Sequence, residues 1–530
     1  MWSSPKSKAS PTAHAATPTP IYAFPAVDAN YVYDQLYYMS TAFQQRESGF
    51  DLAAEHNGHQ AFAQYWAQTM QANLSGFAPE ITYDQFQGGW ISRPATSPSY
   101  NVEVTIPGAL HPDQVVVVGS HYDGMHVSQG SAFDDTSGCA ILLGEAKALG
   151  DYWRSHSLAP ARTLRFVLFD AEEQGLLGSY QYLNSTVNGD RANIVGMLNE
   201  EQSGFSYPVR FLGLASNPVI PLHIWNTYNG RTFFSQLIQA ALLVVGGDMR
   251  TVGSTSVPYH DAQGHTANLP AFTSDQLSHA LVAGDPLGGS DDAAFDAANI
   301  PALTFIAGDE GVYDPSSGSY QTPNIPDQEA YPFDTHDDTI QLMNGYANGA
   351  TAKSAALALA LQFETMLQAW MVNQSELVSA VSLDAVPAGP VAAIGDIGRL
   401  QPGVALTLVA QSAYDPRAPQ SAFSYHWTFG DGAQADGAMT QHTYAAPGAY
   451  TLTLNIKDAN GTRSISKRLV VTASPPTYPN VFLSLLQRER DTGNPLARGD
   501  NQPFQGYQMP PITQNGDGLT AEDHFPGHNG

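Results

Sequence analysis

The sequence predicts an α/β protein: a central mixed, mostly parallel sheet with helices on both faces, followed by a small immunoglobulin-like β-sandwich. Two observations predict it. Short, wholly apolar runs such as "DQVVVVGS" and "TLRFVLFD" alternate with stretches of helical spacing, the pattern of strands buried on both faces with crossover helices between them. After the Pro/Gly stretch "LDAVPAGP" the helical spacing stops and short alternating strands take over. At 530 residues the chain exceeds one ordinary domain, and an apolar share of 43% supplies real cores.

Residues 1–20, rich in Pro, Ser, Thr and Ala, read as a flexible leader. The α/β region spans 21–373. Within it "VYDQLYYMSTAFQQR" and "HQAFAQYWAQTMQANL" have helical spacing, "YNVEVTIPG" alternates like a strand, and "DQVVVVGS" is a buried strand. "SGCAILLGEAKALGDYW" reads as a crossover helix; "TLRFVLFD", "NIVGMLN" and "PALTFIAG" are further buried strands; "ANGATAKSAALALALQFETMLQAWM" is a long closing helix. Residues 374–390 form a linker. The sandwich occupies 391–473, with strands in "ALTLVAQSA", "FSYHWTFGDG", "MTQHTYAAPGAYTLTLNIKDANG" and "SKRLVVTA". The Pro/Gly/Asn-rich tail at 474–530 is expected to be disordered.

Charge narrows the partners. With 49 acids against 22 Lys and Arg, the formal net charge is −27, which excludes nucleic acid and anionic membrane as partners on electrostatic grounds. No apolar run reaches the length of a membrane span. Charged residues make up 13% of the chain, roughly half the usual share, and the polar remainder is rich in Ser, Thr, Gln, Gly and Tyr. That texture predicts a secreted or periplasmic protein, although the N-terminus lacks the apolar core of a signal peptide. Cys139, the sole cysteine, rules out an internal disulfide and a cysteine-based zinc knuckle.

Chemistry concentrates where strands end, which is where sites lie in open α/β sheets. "VVVVGS" runs into His121, Tyr122 and Asp123; "TLRFVLFD" into Ala171, Glu172 and Glu173; "IVGMLN" into Glu200 and Glu201. Asp134 and Asp135 lie on the loop opening the crossover helix, where capping and dipole compensation are the bland alternative. Imidazole and carboxylate are ordinary zinc ligands, and a carboxylate can bridge two metals. Asp123 can orient the His121 ring through its other nitrogen. One of two adjacent glutamates can ligate while its neighbour shuttles a proton.

The set "HYDG…FDDTSG…FDAEEQGLLGS…MLNEEQSG…SDDAAF…IPALTF…DTHDDT" resembles the co-catalytic zinc aminopeptidases of the M28 type, the bacterial leucyl aminopeptidase group, over roughly residues 25–370. The resemblance implies a two-zinc peptidase acting on peptides or proteins. It implies His121, Asp134 and Glu201 on one zinc; Asp134, Glu173 and a late histidine on the other; Glu172 as general base and acid; and Asp123 and Asp135 as supporting residues. Three departures stand out. Glu201 occupies a position the family commonly fills with Asp, and Glu200 is a bystander. Asp292 stands where the family commonly has His. The last-ligand pattern, laid on "FDTHDDT", puts Asp334 at the histidine position, with His336 two residues on. His336 is the expected ligand, since a neutral imidazole keeps the charge and softness of the site, and Asp334 would then orient it.

"YHWTFGDG" followed by "HTYAAPGAYTLTL" resembles the PKD domain, which implies Trp427 and Phe429 in a core and a role either in contacting a polymeric substrate or as a spacer. Competing functions remain open: a glutaminyl-cyclase-like enzyme; a carboxypeptidase, with Arg210, Arg231 or Arg250 for the substrate carboxylate; or a binding protein without activity. Tyr259, His260 and His265 are candidates for a substrate pocket.

Overall fold

The structure is a computed structural model. It describes residues 25–473 apart from 51–57, 90–94, 126–127, 205–222, 228, 231–232, 239, 243, 246–257, 261–265, 269–280, 285–289, 307–311, 315–318, 322–332, 349–352 and 419–420. Arg210, Arg231, Arg250, His265, the leader and the tail lie outside the described residues, and at Tyr259 and His260 only the backbone is described.

Helices α1 (Ala29–Ala42) and α2 (Gly58–Asn73) precede the edge strands β1 (Glu80–Phe86) and β2 (Ser99–Ile106). Strand β3 (His111–His121) leads through the 131–136 loop into α3 (Ser137–Ser155), then to the short β4 (Leu158–Pro160) and to β5 (Arg162–Phe169). After α4 (Leu177–Gln181) come β6 (Ile194–Glu201) and β7 (His223–Asn226), a small hairpin β8 and β9 (Pro258–His260, Thr266–Asn268), and β10 (Leu281–Gly284). Helix α5 (Asp292–Ala297), β11 (Ala302–Ile306), a second hairpin β12 and β13 (Val312–Asp314, Ser319–Gln321), α6 (Ile340–Asn348) and α7 (Ala355–Val372) complete the α/β part.

Eight strands form one mixed sheet in the order β1-β2-β5-β3-β6-β11-β7-β10. Its centre, β5-β3-β6-β11, is parallel, whereas β1-β2, β2-β5 and β11-β7 pair antiparallel. Strand β3 lies between the two strands that follow it in the chain, so the connections diverge at its carboxyl end and open a crevice there. One sheet face carries Val116, Val118, Leu164, Phe166 and Leu168, packed under α1, α2, α3 and α7. The other carries Val115, Val117, Val167 and Phe169 against Tyr182, Leu183 and Phe295. The helix layer is close: a Cβ on Gly144 of α3 would stand 2.6 Å from Val32 and 3.0 Å from Thr365, so that position admits no side chain without parting three helices.

Two expected helices differ in extent. The first ends at Ala42 rather than running on through Arg46, because Arg46 turns inward and spends its guanidinium on loop carbonyls. The closing helix starts only at Ala355, where Ser354 caps it by accepting from the Leu357 amide at 3.2 Å. Among the described residues no helix is long and apolar enough to cross a membrane.

Residues 374–390 include β14 (Ala380–Ser382), which pairs antiparallel with β4. The C-terminal part is two antiparallel sheets. One is β15-β16-β19 (Val391–Ile394, Ala405–Tyr414, Met439–Thr443); the other is β18-β17-β20-β21 (Gln434–Asp436, Ser424–Thr428, Gly448–Lys457, Thr462–Val471). Trp427 and Phe429 are buried between them with Leu452, Leu454 and Ile456. Gly430 and Gly432, at φ +81 and +98, make the "GDG" turn that lets β17 leave the sheet.

Candidate metal centre

His121 is the last residue of β3, and its ring is buried against carboxylates. Nε2 lies 2.8 Å from Asp134 Oδ1 and 3.5 Å from Glu201 Oε1. On its other side Nδ1 faces Asp123 Oδ1 at 3.4 Å. Neither ring nitrogen makes a well-formed hydrogen bond. A buried imidazole nitrogen without such a bond, facing acids from two other elements, has the environment of a ligand.

Two groups of donor atoms meet here. One atom each from His121, Asp134 and Glu201 lie within 4.8 Å of one another, and so do one each from Asp134, Glu173 and Asp334. Asp134 belongs to both. Glu173 Oε1 and Asp334 Oδ1 are buried atoms with no hydrogen-bond partner, so the chain itself leaves these oxygens uncompensated. The donor set and its orphaned atoms fit a pair of divalent cations.

Each donor has a local reason for its place. Asp338 accepts from the backbone N–H of Phe133 at 2.8 Å and of Asp134 at 3.1 Å. That bond fastens the Asp134 loop to the turn carrying Asp334. The Asp134–Asp135 peptide is cis. Asp135 points away from both groups: it accepts from Ser120 Oγ (2.6 Å), Gly138 N (2.9 Å) and Gln202 N (3.1 Å), tying β3, α3 and the end of β6 together. A Cβ on Gly138 would meet that carboxylate at 2.4 Å, which explains the Ser-Gly that follows "DDT". Gln202 Nε2 donates to Asp134 Oδ2 at 3.0 Å. Glu201 Oε2 accepts from Ser290 Oγ at 2.6 Å, and the Ser290 amide is in turn held by Asp292 Oδ1 at 3.1 Å. Asp292 therefore acts on the centre through Ser290 and not as a donor atom.

Asp123 does two jobs, facing His121 and accepting the Glu172 N–H at 3.0 Å. Glu172 itself is buried at 5% exposure but belongs to neither donor group. Burial pushes the carboxyls of Glu172, Glu173 and Asp334 well above the ordinary carboxylate range; neighbouring acids add to it and His121 opposes it. Burial works against charging His121, but Glu201, Asp123 and Asp134 outweigh it and raise that imidazole well above its usual value. Both effects have one physical origin, a surplus of negative charge in a dry site.

His336, the expected last ligand, lies apart from both donor groups in this geometry. Its side chain is 50% exposed and sits 3.1 Å from the exposed Asp337, while Asp334 reaches Asp134 and Glu173. The chain turns through a left-handed conformation at Asp334, φ +61. The loop thus keeps the ungapped register, with no local shift to bring the imidazole in.

Three supporting residues were not read from the sequence as part of the site. Arg46, 1% exposed, donates from Nε to Tyr122 O (2.7 Å) and from its terminal nitrogens to Gly130 O (2.9 Å) and Thr136 Oγ1 (2.7 Å), bracing both ends of the loop that carries Asp134. Asp170 binds His59 Nε2 at 2.8 Å and the Tyr100 amide at 2.7 Å, fixing the end of β5 just before Glu172. Cys139, buried under His121, donates its thiol to His121 O at 3.1 Å; burial pushes its pKa up to about 12, so it stays protonated. Arg46 and His59 lie far from any strand end in sequence, and nothing local marks them.

Residues 101–359 match the model of "Peptidase family M28", and residues 387–473 that of the "PKD domain". The chain is 30% identical over 227 residues to leupeptin-inactivating enzyme 1 of Streptomyces exfoliatus, covering 43% of this chain and 46% of that one. It is 45% identical over 84 residues to carboxypeptidase Q of Homo sapiens, covering 16% and 17%. The chain thus spans less than half the length of these curated relatives. Among solved structures, a zinc aminopeptidase from Bacillus subtilis superposes with a TM-score of 0.42 at 14% identity, covering 66% of this chain and 94% of that one. A glutaminyl cyclase from Tannerella forsythia gives 0.41 at 15% identity, covering 66% and 100%. Residues 101–359 are thus a peptidase family M28 domain, and a PKD domain follows at 387–473.

Proposed function

We propose that the protein is a zinc-dependent exopeptidase that removes N-terminal residues from peptides. His121, Asp134 and Glu201 would hold one zinc; Asp134, Glu173 and Asp334 would hold a second, with Asp134 shared. Zinc bound there would supply Lewis acidity toward a carbonyl and activation of water at neutral pH. The observation that carries the reading is the pair of donor groups meeting at Asp134, with Glu172 beside them and outside both.

The chain's own part is proton handling and orientation. Glu172, whose backbone N–H is held by Asp123, would take a proton on its carboxylate from the attacking water and return it to the leaving amine. Burial raises its affinity for that proton. Ser290 keeps Glu201 from rotating away, and Asp123, facing Nδ1, would orient His121 once its Nε2 is engaged.

Charge favours the N-terminus of a peptide over its C-terminus. Around the two donor groups stand further acids, Asp123, Asp135, Glu172 and Asp291, all buried. Among the described residues, the arginine braced against the Asp134 loop, Arg46, is committed to backbone carbonyls and Thr136. A free α-ammonium suits such surroundings, whereas an α-carboxylate needs a basic partner.

The test is Glu172→Gln. Hydrolysis of an aminoacyl-anilide should fall on the order of 10²–10⁴-fold with metal content unchanged, and the wild-type chain should not cleave the N-acetylated analogue. Full activity in Glu172→Gln would end the mechanism; equal cleavage of the blocked substrate would end the N-terminal assignment.

A further inference from the structure

The face of the main sheet opposite α1, α2, α3 and α7 is only partly covered by helices, and over β2 and β5 it carries charge. Arg165 lies in the middle of β5 and Glu103 in the middle of β2, 1% and 3% exposed. On an antiparallel pair, alternating polar residues such as Asn101, Glu103 and Thr105 ordinarily mark a solvated face. Here Asn101 bonds to Gly178 O and the Asp170 amide, and the C-terminal sandwich closes over Glu103 and Thr105 through Asp396 and Ser412.

The contacts are specific and run along the whole seam. Arg165 NH1 meets Asp396 Oδ1 of the sandwich at 2.7 Å and Tyr182 OH at 3.1 Å, while Tyr182 OH donates to Glu103 Oε2 at 2.7 Å. Lys467 of β21, 1% exposed, pairs with Asp190, 3% exposed. Backbone joins in: Ser412 N donates to Glu80 Oε2 at 2.7 Å, Ser412 Oγ to Thr105 O at 3.0 Å, and Gly189 N to Ile397 O at 2.7 Å. Strand β14 ties the connecting segment to β4.

A tethered module has no use for buried charges at its root. Taking Arg165, Asp190 and Lys467 out of water is costly unless each keeps its partner, and the pairs Arg165–Asp396 and Lys467–Asp190 each join the two sides of the seam. We propose that residues 391–473 are a permanent layer of the peptidase fold, standing where a helix layer would otherwise cover β2 and β5, rather than a swinging spacer or a substrate-gripping arm. The occupant of that sheet face is this chain's own sandwich. The same surface of the sandwich is therefore closed to any polymeric substrate.

Calorimetry of the full chain reads this directly. One cooperative transition spanning both parts is expected; two independent transitions would overturn the proposal. Hydrogen exchange on Asp396→Asn and on Lys467→Met gives a second reading. Each change should lower the melting temperature on the order of 5 °C. Amide exchange in 99–106 and 162–169 should rise at least tenfold together with that in 448–457 of the sandwich. Unchanged exchange in β2 and β5 would mean that the layer is dispensable. Loss of protection confined to the sandwich would mean the same.

Discussion

Asp334 is the residue on which the centre turns. In the proposed site it stands as a third carboxylate where a neutral imidazole was expected, so one donor group is His, Asp and Glu and the other is Asp, Glu and Asp. Oxygen-only sets hold zinc less selectively than sets containing imidazole. Zinc should therefore leave the Asp334 side first under a mild chelator, with one equivalent lost before the other, as read by elemental analysis during dialysis. Asp334→Ala should lose that equivalent outright. His336→Ala should change neither metal content nor kcat/KM more than twofold, since its side chain is exposed. A lost metal in His336→Ala would show that the loop rearranges to use the imidazole.

At the scale of elements, the centre depends on how loops are pinned to strand ends. The stretch between β3 and α3 is held by Arg46 from one side and Asp338 from the other. Arg46→Met leaves the Tyr122 carbonyl without its donor and takes one of two from Gly130 O, and should cost about 3 kcal/mol or more of stability. It should also weaken metal binding by roughly tenfold or more, measured by competition with a chromophoric chelator; stability lost with metal affinity intact would confine Arg46 to a packing role. What the sequence displayed of this arrangement was the part written in strand ends. Apolar runs stopping at His121, Phe169 and Glu201 put their neighbours on one edge, because parallel strands deliver their carboxyl ends together. The bracing residues were not legible. Arg46 and His59 act across the fold, from segments whose local pattern is helix and loop. The choice between His336 and Asp334 was also beyond the local pattern, since it rests on the turn at Asp334 and on the fastening by Asp338. The sandwich strands were legible from their alternation, but their burial of Glu103 and Arg165 was not. A polar strand face looks the same in sequence whether water or another domain covers it.

Across the whole molecule, acid is buried well beyond the centre. Glu364 of α7 is fully buried, and burial pushes its pKa up to about 8, with Gly204 and Ser203 opposing. Glu145 of α3, buried with no hydrogen-bond partner for either oxygen, is raised well above its usual value for the same reason. A carboxyl whose folded pKa exceeds its unfolded one keeps a proton that the unfolded chain has released. The folded state then binds more protons, and stability falls as pH rises from the ordinary glutamate value toward 8. Glu364→Gln should leave stability at pH 4 nearly unchanged and raise it at pH 9 by on the order of 2 kcal/mol, checked by denaturant melts at both values; an equal effect at both would contradict the assignment. The proposed centre consists of two metal positions joined at Asp134. Zinc per chain, by elemental analysis of the purified protein and of Asp134→Ala, tests that most directly. Two equivalents in the wild type falling to none or nearly none in Asp134→Ala is the predicted result. A single equivalent in the wild type, or two retained without Asp134, would contradict it.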